Sequence, residues 1–250
     1  MIFSKKKAHS LDKVDALRLI DDNTPFAISE AFRALYTKVI YLPIIDKCKK
    51  IAVTSSVSGE GKTYIATNLA ITLARNSDNK KVVLVDLDMR KPRVSRVLYK
   101  HLDNPKAHNG MSEYLAGIDE VPNIHKSDIP NFSVILSGKE NSNALGLVSS
   151  VRMTELIEKL SAEFDYIIFD TPPVSLVSDA LVLSDKINGY IIAARSEYSD
   201  INGLTHAVES IQNVNGVIFG TVLTDVNLKS GGRSNKYYHS KEYYKTDVEE

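Results

Sequence analysis

The chain has 250 residues, of which 43% are hydrophobic and 25% charged, with 31 basic and 31 acidic side chains. This length allows a full hydrophobic core, and the zero net charge argues against a nucleic-acid or general anionic-membrane binder. The single cysteine, Cys48, excludes an internal disulfide and a cysteine-based metal cluster. No apolar run approaches the roughly 20 residues of a membrane span, so we expect a soluble, cytoplasmic protein.

Residues 1–49 are predicted to form a helical N-terminal arm. Two segments, SLDKVDALRLI (10–20) and ISEAFRALYTKVIYL (28–42), carry apolar residues three and four positions apart. That spacing is typical of helices that bury one face, and DDNTPF separates the two segments as a break.

Residues 50–227 are predicted to form an α/β core, because short β-branched runs alternate there with stretches of helical length. The runs are IAVTS (51–55), VVLVDLD (82–88), FSVILSG (132–138), YIIFD (166–170), YIIAAR (190–195) and VIFGTVL (217–223). The helical stretches are 63–76, 144–164, 178–186 and 201–214. This alternation predicts a three-layer fold with a mainly parallel central sheet. The Gly- and Ser-rich residues that follow predict a flexible C-terminal tail, 228–250.

A phosphate-binding loop is predicted where SSVSGEGKTY (55–64) follows a strand and opens a helix. Gly59 and Gly61 allow backbone N–H groups to turn inward, the Lys62 ammonium reaches the outer phosphates, and the Thr63 hydroxyl is a ligand for Mg²⁺. Ser56 stands where this loop usually has Gly or Ala. The predicted nucleotide contacts are Ser58, Gly59, Glu60, Gly61, Lys62, Thr63, Tyr64, Asn68 and Arg90.

Acidic residues are predicted to complete this site, since Asp86 and Asp88 end one strand and Asp170 ends another. The carboxyl ends of parallel strands form the ligand-binding edge of such a sheet, and residues two apart on an extended chain point the same way. We therefore predict a Mg²⁺–nucleoside triphosphate site in which Thr63, Asp88 and Asp170 hold the metal. Arg90 either neutralises developing charge or guides an acceptor; simple surface charge is an equally good interpretation.

The Asp-x-Asp motif and DTPP (170–173) resemble the MinD/ParA-like branch of phosphate-loop ATPases. Partition and division-placement members carry an extra lysine where this chain has Ser58, which counts against a switch of that kind. The chain resembles more fully the bacterial protein-tyrosine kinases of polysaccharide export. The matching motifs are SEAFRALYT (29–37), SGEGKT (58–63), VDLDMRKP (85–92), NGMSEYLAG (109–117), 135–157, FDTPPVSLVSDALVLSD (169–185) and the tail KYYHSKEYYKTDVEE (236–250).

The resemblance implies an ATP-dependent autokinase that acts in trans and regulates synthesis or export of capsular or extracellular polysaccharide. Lys62, Asp86 and Asp88 are the implied catalytic residues, with Asp86 accepting or orienting the tyrosine hydroxyl. The implied phosphate acceptors are Tyr237, Tyr238, Tyr243 and Tyr244.

The resemblance also implies partners. They are a separate membrane-anchored activator (a polysaccharide co-polymerase) that recruits the kinase to the inner face of the membrane, and a cognate phosphotyrosine phosphatase. A homo-oligomer such as a ring would associate through Glu30 and Arg33 of the arm, although Tyr36 replaces the last Arg of the family motif and leaves the ring geometry open. Thr224 stands where the family commonly has an adenine-contacting Asn. A non-kinase ATPase switch and a nucleotide-binding scaffold without turnover are the alternatives.

Overall fold

The computed structural model describes residues 19–21, 23–104 and 109–226. In these ranges the helices are α1 (Phe26–Ile40), α2 (Lys62–Asn76), α3 (Val94–Leu98), α4 (Met111–Leu115), α5 (Ala144–Val148), α6 (Val151–Glu163) and α7 (Ile201–Asn213). The strands are β1 (Lys49–Ser55), β2 (Val82–Asp86), β3 (Ile124–Lys126), β4 (Phe132–Ile135), β5 (Tyr166–Asp170), β6 (Gly189–Arg195) and β7 (Ile218–Thr224).

The strands form one seven-stranded sheet in the order β3-β4-β2-β5-β1-β6-β7. Neighbouring strands are parallel except β3, which runs antiparallel to β4 at one edge. β2 and β5 are buried along their whole length, which explains why they read as continuous apolar runs rather than alternating ones. The predicted α/β fold with a mainly parallel sheet is confirmed.

Helices cover both faces of the sheet and enclose two hydrophobic clusters. On one face, Leu69 and Leu73 of α2 pack with alternate strand residues such as Ile168. On the other face, Leu156 and Leu160 of α6 pack with a second set of strand residues. Because successive strand side chains point to opposite faces, each central strand contributes to both clusters, and this fixes its register.

The second predicted arm helix is α1, which lies along α2. Phe32 is buried and meets the Tyr64 ring edge-on, with 5.6 Å between ring centroids. The Tyr36 hydroxyl donates a hydrogen bond to the Asn76 carbonyl at the far end of α2, at 2.9 Å. Of the first predicted arm helix, residues 10–18 lie outside the described residues, and Leu19 and Ile20 are not helical.

Three local predictions differ from the structure. The stretch 144–164 is two helices rather than one, because the Ser150 side chain accepts the Met153 N–H and so caps the start of α6. The stretch 178–186 forms only a 3-10 turn at Leu181–Leu183, in which the Ala180 carbonyl accepts the Leu183 N–H at 3.3 Å and the Tyr190 hydroxyl at 2.8 Å rather than the Ser184 N–H of an α-helix. β3 was not predicted, since three residues are too few to show a strand periodicity.

Candidate active site

The phosphate loop connects β1 to α2 at the carboxyl edge of the sheet. Gly59 and Gly61 have φ angles of +92° and +93°, a backbone region that favours glycine. A Cβ at Gly61 would lie 3.0 Å from the Thr224 Cγ2, so a larger residue there would also crowd β7. α2 begins directly at Lys62, and its N-terminal N–H groups face the loop as an anion site.

Lys62 is held inside the site rather than extended into solvent. Its ammonium lies 2.8 Å from the Asp88 carboxylate, and both side chains are more than nine-tenths buried. Burial alone would lower the pKa of Lys62, but the charges of Asp170 and Asp88 outweigh burial and raise it. The lysine is therefore protonated and balances part of the acidic charge around it.

The three predicted acids do meet at one point. Asp86 and Asp170 are paired residues on the adjacent strands β2 and β5, and the Asp86 carboxylate accepts the Asp88 N–H at 3.1 Å. Among the described residues, one oxygen of Asp86 and both oxygens of Asp170 have no hydrogen-bond partner in good geometry, although the Thr63 hydroxyl lies close enough to lower the pKa of Asp170.

Burial is the main cause of the altered acidity of these acids. It raises the pKa of Asp170 to about 6, against the opposing charge of Lys62. It raises the pKa of Asp86 well above its usual range, and the neighbouring Asp170 and Asp88 charges raise it further. Buried carboxylates without partners are costly, which is the condition that a bound cation relieves.

The residues at this edge fit the predicted magnesium ion, because the Thr63 hydroxyl and the Asp88 and Asp170 carboxylates are hard oxygen donors. In the described part of the chain, no group of three or more His, Cys, Asp or Glu is arranged to hold a metal ion. A magnesium ion at Thr63, Asp88 and Asp170 would therefore complete its ligand shell with phosphate and water oxygens, as is usual for Mg²⁺.

The Glu60 side chain points into the protein and not toward the phosphate side of the loop. Its carboxylate is fully buried and accepts hydrogen bonds from the Ser56 hydroxyl at 2.8 Å and the Val57 N–H at 2.8 Å. A short hydrogen bond from the Ser199 hydroxyl completes the set. Any nucleotide contact by Glu60 is therefore left to its backbone.

Three other predicted nucleotide contacts have protein partners. Tyr64 packs against the arm at Phe32, and the Asn68 side chain accepts the Ile20 N–H at 2.8 Å. Arg90 forms a two-pronged ion pair with the buried Asp179, at 2.7 and 3.1 Å. Contacts of Tyr64, Asn68 and Arg90 with a nucleotide remain predictions. Sequence reasoning missed Asp179, for which the available signal was an acid directly before the apolar run ALVL (180–183).

Of the remaining predicted residues, Glu30 and Arg33 lie on the arm, whereas Thr224 contacts the phosphate loop. Glu30 and Arg33 form an ion pair within α1 at 2.7 Å, with 40% and 62% of their side chains exposed. The Thr224 hydroxyl is bonded to the Glu60 and Ala194 carbonyls. The four tail tyrosines and the rest of 227–250 lie outside the described residues. Sequence reasoning also missed Tyr198 and Ser199, which contact the loop from the turn after β6.

This sheet, its glycine-bent loop and the lysine at the start of α2 define a P-loop nucleotide-binding protein. Residues 48–219 match the family described as AAA domain. The chain is 31% identical over 199 residues to the tyrosine-protein kinase CpsD of Streptococcus agalactiae serotype III, covering 79% of this chain and 82% of that protein. It is 28% identical over 216 residues to the tyrosine-protein kinase YwqD of Bacillus subtilis, covering 86% and 88%. The chain belongs to the bacterial tyrosine-protein kinases, and the predicted enzyme class is confirmed.

Solved structures agree with this assignment. The kinase domain of the Escherichia coli tyrosine kinase ETK superposes with a TM-score of 0.73 at 27% identity, covering 86% of this chain and 85% of that one. The cell division ATPase MinD of Pyrococcus furiosus shares the fold, with a TM-score of 0.58 at 25% identity, covering 70% and 71%. Some matched kinases are longer: the chain spans 27% of the one from Acinetobacter johnsonii and 31% of the one from Klebsiella pneumoniae. No helix in the described ranges is long and apolar enough to span a bilayer.

Proposed function

We propose that this kinase transfers the γ-phosphoryl group of ATP to its own tail tyrosines, Tyr237, Tyr238, Tyr243 and Tyr244, with one subunit modifying another. The observation that supports the proposal best is the buried Lys62–Asp88 pair at the carboxyl edge of the sheet, beside Asp86 and Asp170, whose carboxylates have three buried oxygens without a hydrogen-bond partner in good geometry among the described residues. It is a site built to neutralise polyphosphate and metal charge together, in a chain similar to tyrosine-protein kinases.

In the proposed reaction a tyrosine oxygen forms a bond to the γ-phosphorus, the bond to the β–γ bridging oxygen breaks, and ADP leaves. Lys62 and the backbone N–H groups of 59–63 neutralise charge on the β- and γ-phosphates. Asp86 takes the phenol proton as the new bond forms. Its raised pKa suits that role, because a more basic carboxylate is a better acceptor for the proton of a weak acid.

Thr63, Asp88 and Asp170 would hold the magnesium ion, which supplies positive charge to the phosphates when bound. The protein's own contribution is to keep these oxygens in place before the ion arrives. Burial of Asp170 between β1 and β2 does this, since a carboxyl group on a central strand has little freedom to move.

We also propose the setting in which the kinase acts. A membrane-anchored activator, as a separate chain, recruits it to the inner face of the membrane; a phosphotyrosine phosphatase reverses the modification; and the cycle regulates capsular or extracellular polysaccharide. Similarity to the putative tyrosine-protein kinase in the cps region of Klebsiella pneumoniae supports the polysaccharide part of this setting. Phosphate on neighbouring tails would repel like charge and favour release of an assembled oligomer.

The alternative is a nucleotide-dependent ATPase switch on the shared MinD-like fold. Ser58 stands at the position of the extra lysine, and its carbonyl is bonded to Tyr198 within the same subunit. Intact-mass measurement after incubation with Mg-ATP, with and without the activator's cytoplasmic segment, separates the two functions. The kinase gains phosphate in steps, whereas the switch releases ADP from an unmodified chain.

Replacing the four tail tyrosines with phenylalanine is expected to remove most of the phosphate label and to leave Mg-ATP affinity unchanged. The phosphate loop, Lys62 and the three acids all lie within residues 55–170, so the four substitutions leave these groups unchanged. Peptide mapping after incubation with Mg-ATP measures the result, and Tyr41→Phe, an exposed tyrosine on the arm, is the matched control. Label that survives the fourfold change would show that the acceptor lies elsewhere.

A charge swap on the arm, Glu30→Arg with Arg33→Glu, is expected to abolish association while preserving the folded monomer. The swapped pair can still form within α1, where such a pair contributes only a few tenths of a kcal/mol. Light scattering with Mg-ATP and activator present measures association. If oligomers persist in the double variant, the pair serves only α1 and the subunits meet through another surface.

A further inference from the structure

Two peptide groups of the phosphate loop are oriented by side chains that lie far away in the sequence. The Tyr198 hydroxyl donates to the Ser58 carbonyl at 3.1 Å, and the Thr224 hydroxyl donates to the Glu60 carbonyl at 2.9 Å. In a trans peptide the C=O of one residue and the N–H of the next point in opposite directions. Drawing these two carbonyls toward β6 and β7 therefore turns the N–H groups of Gly59 and Gly61 the other way.

Both glycines need such an orienting contact more than other residues do. Glycine has the greatest backbone freedom, and this loop places two of them at positive φ within three residues. A loop that samples several conformations must lose that freedom when an anion binds, which weakens binding. A contact that already fixes the bound orientation reduces this loss.

The donors are themselves held in place. The Arg195 guanidinium lies over the Tyr198 ring, 5.3 Å from its centroid, and is fixed by an ion pair with Asp225 at 2.8 Å. The turn that carries Tyr198 passes through Glu197, a non-glycine residue at φ +58°. Such backbone is uncommon and persists where the surroundings impose it.

A third contact joins the same turn to the loop. The Ser199 hydroxyl accepts the Arg195 N–H at 2.7 Å and donates to the buried Glu60 carboxylate. That carboxylate in turn accepts the Val57 N–H at 2.8 Å. The turn after β6 and the end of β7 thus contact one side of the loop, whereas Lys62 and the acids lie on the side that would face the phosphates.

We propose that Tyr198 and Thr224 are positioning residues for nucleotide binding: they fix the Ser58–Gly59 and Glu60–Gly61 peptides so that their N–H groups face the phosphates. Neither residue needs to contact the nucleotide. The inference rests on the nucleotide site proposed above and is independent of which tyrosines are modified.

The test removes one hydroxyl at a time and measures Mg-ADP affinity by calorimetry on the full chain. Tyr198→Phe keeps the ring over Arg195, and Thr224→Val keeps a β-branched strand residue. Each is expected to weaken Mg-ADP binding about three- to tenfold, the usual effect of one lost hydrogen bond, and the two together by more. The melting temperature without nucleotide is measured in parallel, since a purely structural role would lower it without this specific loss.

Two matched controls make the same change elsewhere. Tyr36→Phe removes a hydroxyl that donates to the Asn76 carbonyl, and Thr205→Val removes one that donates to the Ile201 carbonyl. Both should bind Mg-ADP within twofold of the wild type. Wild-type affinity in Tyr198→Phe and Thr224→Val, or an equal loss in the controls, overturns the inference. A wild-type protein that binds no Mg-ADP would instead overturn the proposed nucleotide site.

Discussion

Replacing Lys62 with methionine is expected to lower autophosphorylation at least about a hundredfold and also to destabilise the nucleotide-free protein. The activity falls because the variant lacks the positive charge that Lys62 places beside the transferred phosphoryl group. The stability falls because Asp88, buried and 2.8 Å from the ammonium, loses its cation. Breaking a buried ion pair from one side typically costs about 3–5 kcal/mol. Phosphotyrosine mass mapping and urea unfolding at neutral pH measure the two effects.

A double change separates the two effects of Lys62. Adding Asp88→Asn to Lys62→Met removes the uncompensated charge and should recover much of the stability, but none of the activity. Lys80→Met, which breaks an exposed pair with Asp165, serves as the matched control and should change both quantities little. Phosphotyrosine at wild-type level in Lys62→Met would contradict the assignment of the phosphate site.

Replacing Asp170 with asparagine is expected to abolish kinase activity but to stabilise the nucleotide-free protein, by about 1–3 kcal/mol at pH 8. Burial raises the pKa of Asp170 to about 6, from an ordinary value of 3.8. Above that pKa the folded protein must keep a buried negative charge that the unfolded chain exposes to water. The neutral amide removes this cost and also removes a proposed magnesium ligand.

The pH dependence gives the sign of this effect. Between pH 4 and about 6 the folded state keeps a proton on Asp170 that the unfolded state has lost, so wild-type stability decreases as pH rises through this window. The gain from Asp170→Asn should therefore be small at pH 4 and complete above pH 7.

Asp165 serves as a control, because its pKa is shifted in the opposite direction from that of Asp170. Burial would raise its pKa, but hydrogen bonds from Lys80 and Lys81 lower it. Asp165→Asn should therefore lose stability at neutral pH. Urea unfolding at pH 5 and pH 8 measures both variants, and a constant difference for Asp170→Asn would contradict the prediction.

The sequence was sufficient for the parts of the site that lie at strand ends. Lys62 follows a glycine-rich loop, and Asp86 and Asp170 each end an apolar run, so a parallel sheet necessarily places them at one edge. The same reasoning predicted α1 and the central strands, because burial on one or both faces leaves a period in the sequence.

The contacts that hold the site together were not predictable in this way. Arg90 meets Asp179 across 89 positions, and Tyr198 meets Ser58 across 140. Pairs of this kind depend on which loops the strand order brings together. The hydrophobic periodicity of a local stretch of sequence does not show which loops these are. β3 was missed for a related reason, since its three residues gain their structure from pairing with β4.

Helix α2 contacts both the phosphate loop and the N-terminal arm. The phosphate loop enters at Lys62, while the arm lies against Tyr64 and Asn68 and reaches as far as Asn76. A single helix of about 22 Å therefore joins the proposed nucleotide site to the arm through which we propose that subunits associate. If nucleotide binding favours one position of the arm, a neighbouring subunit that binds the arm in this position must raise the nucleotide affinity by the same free energy.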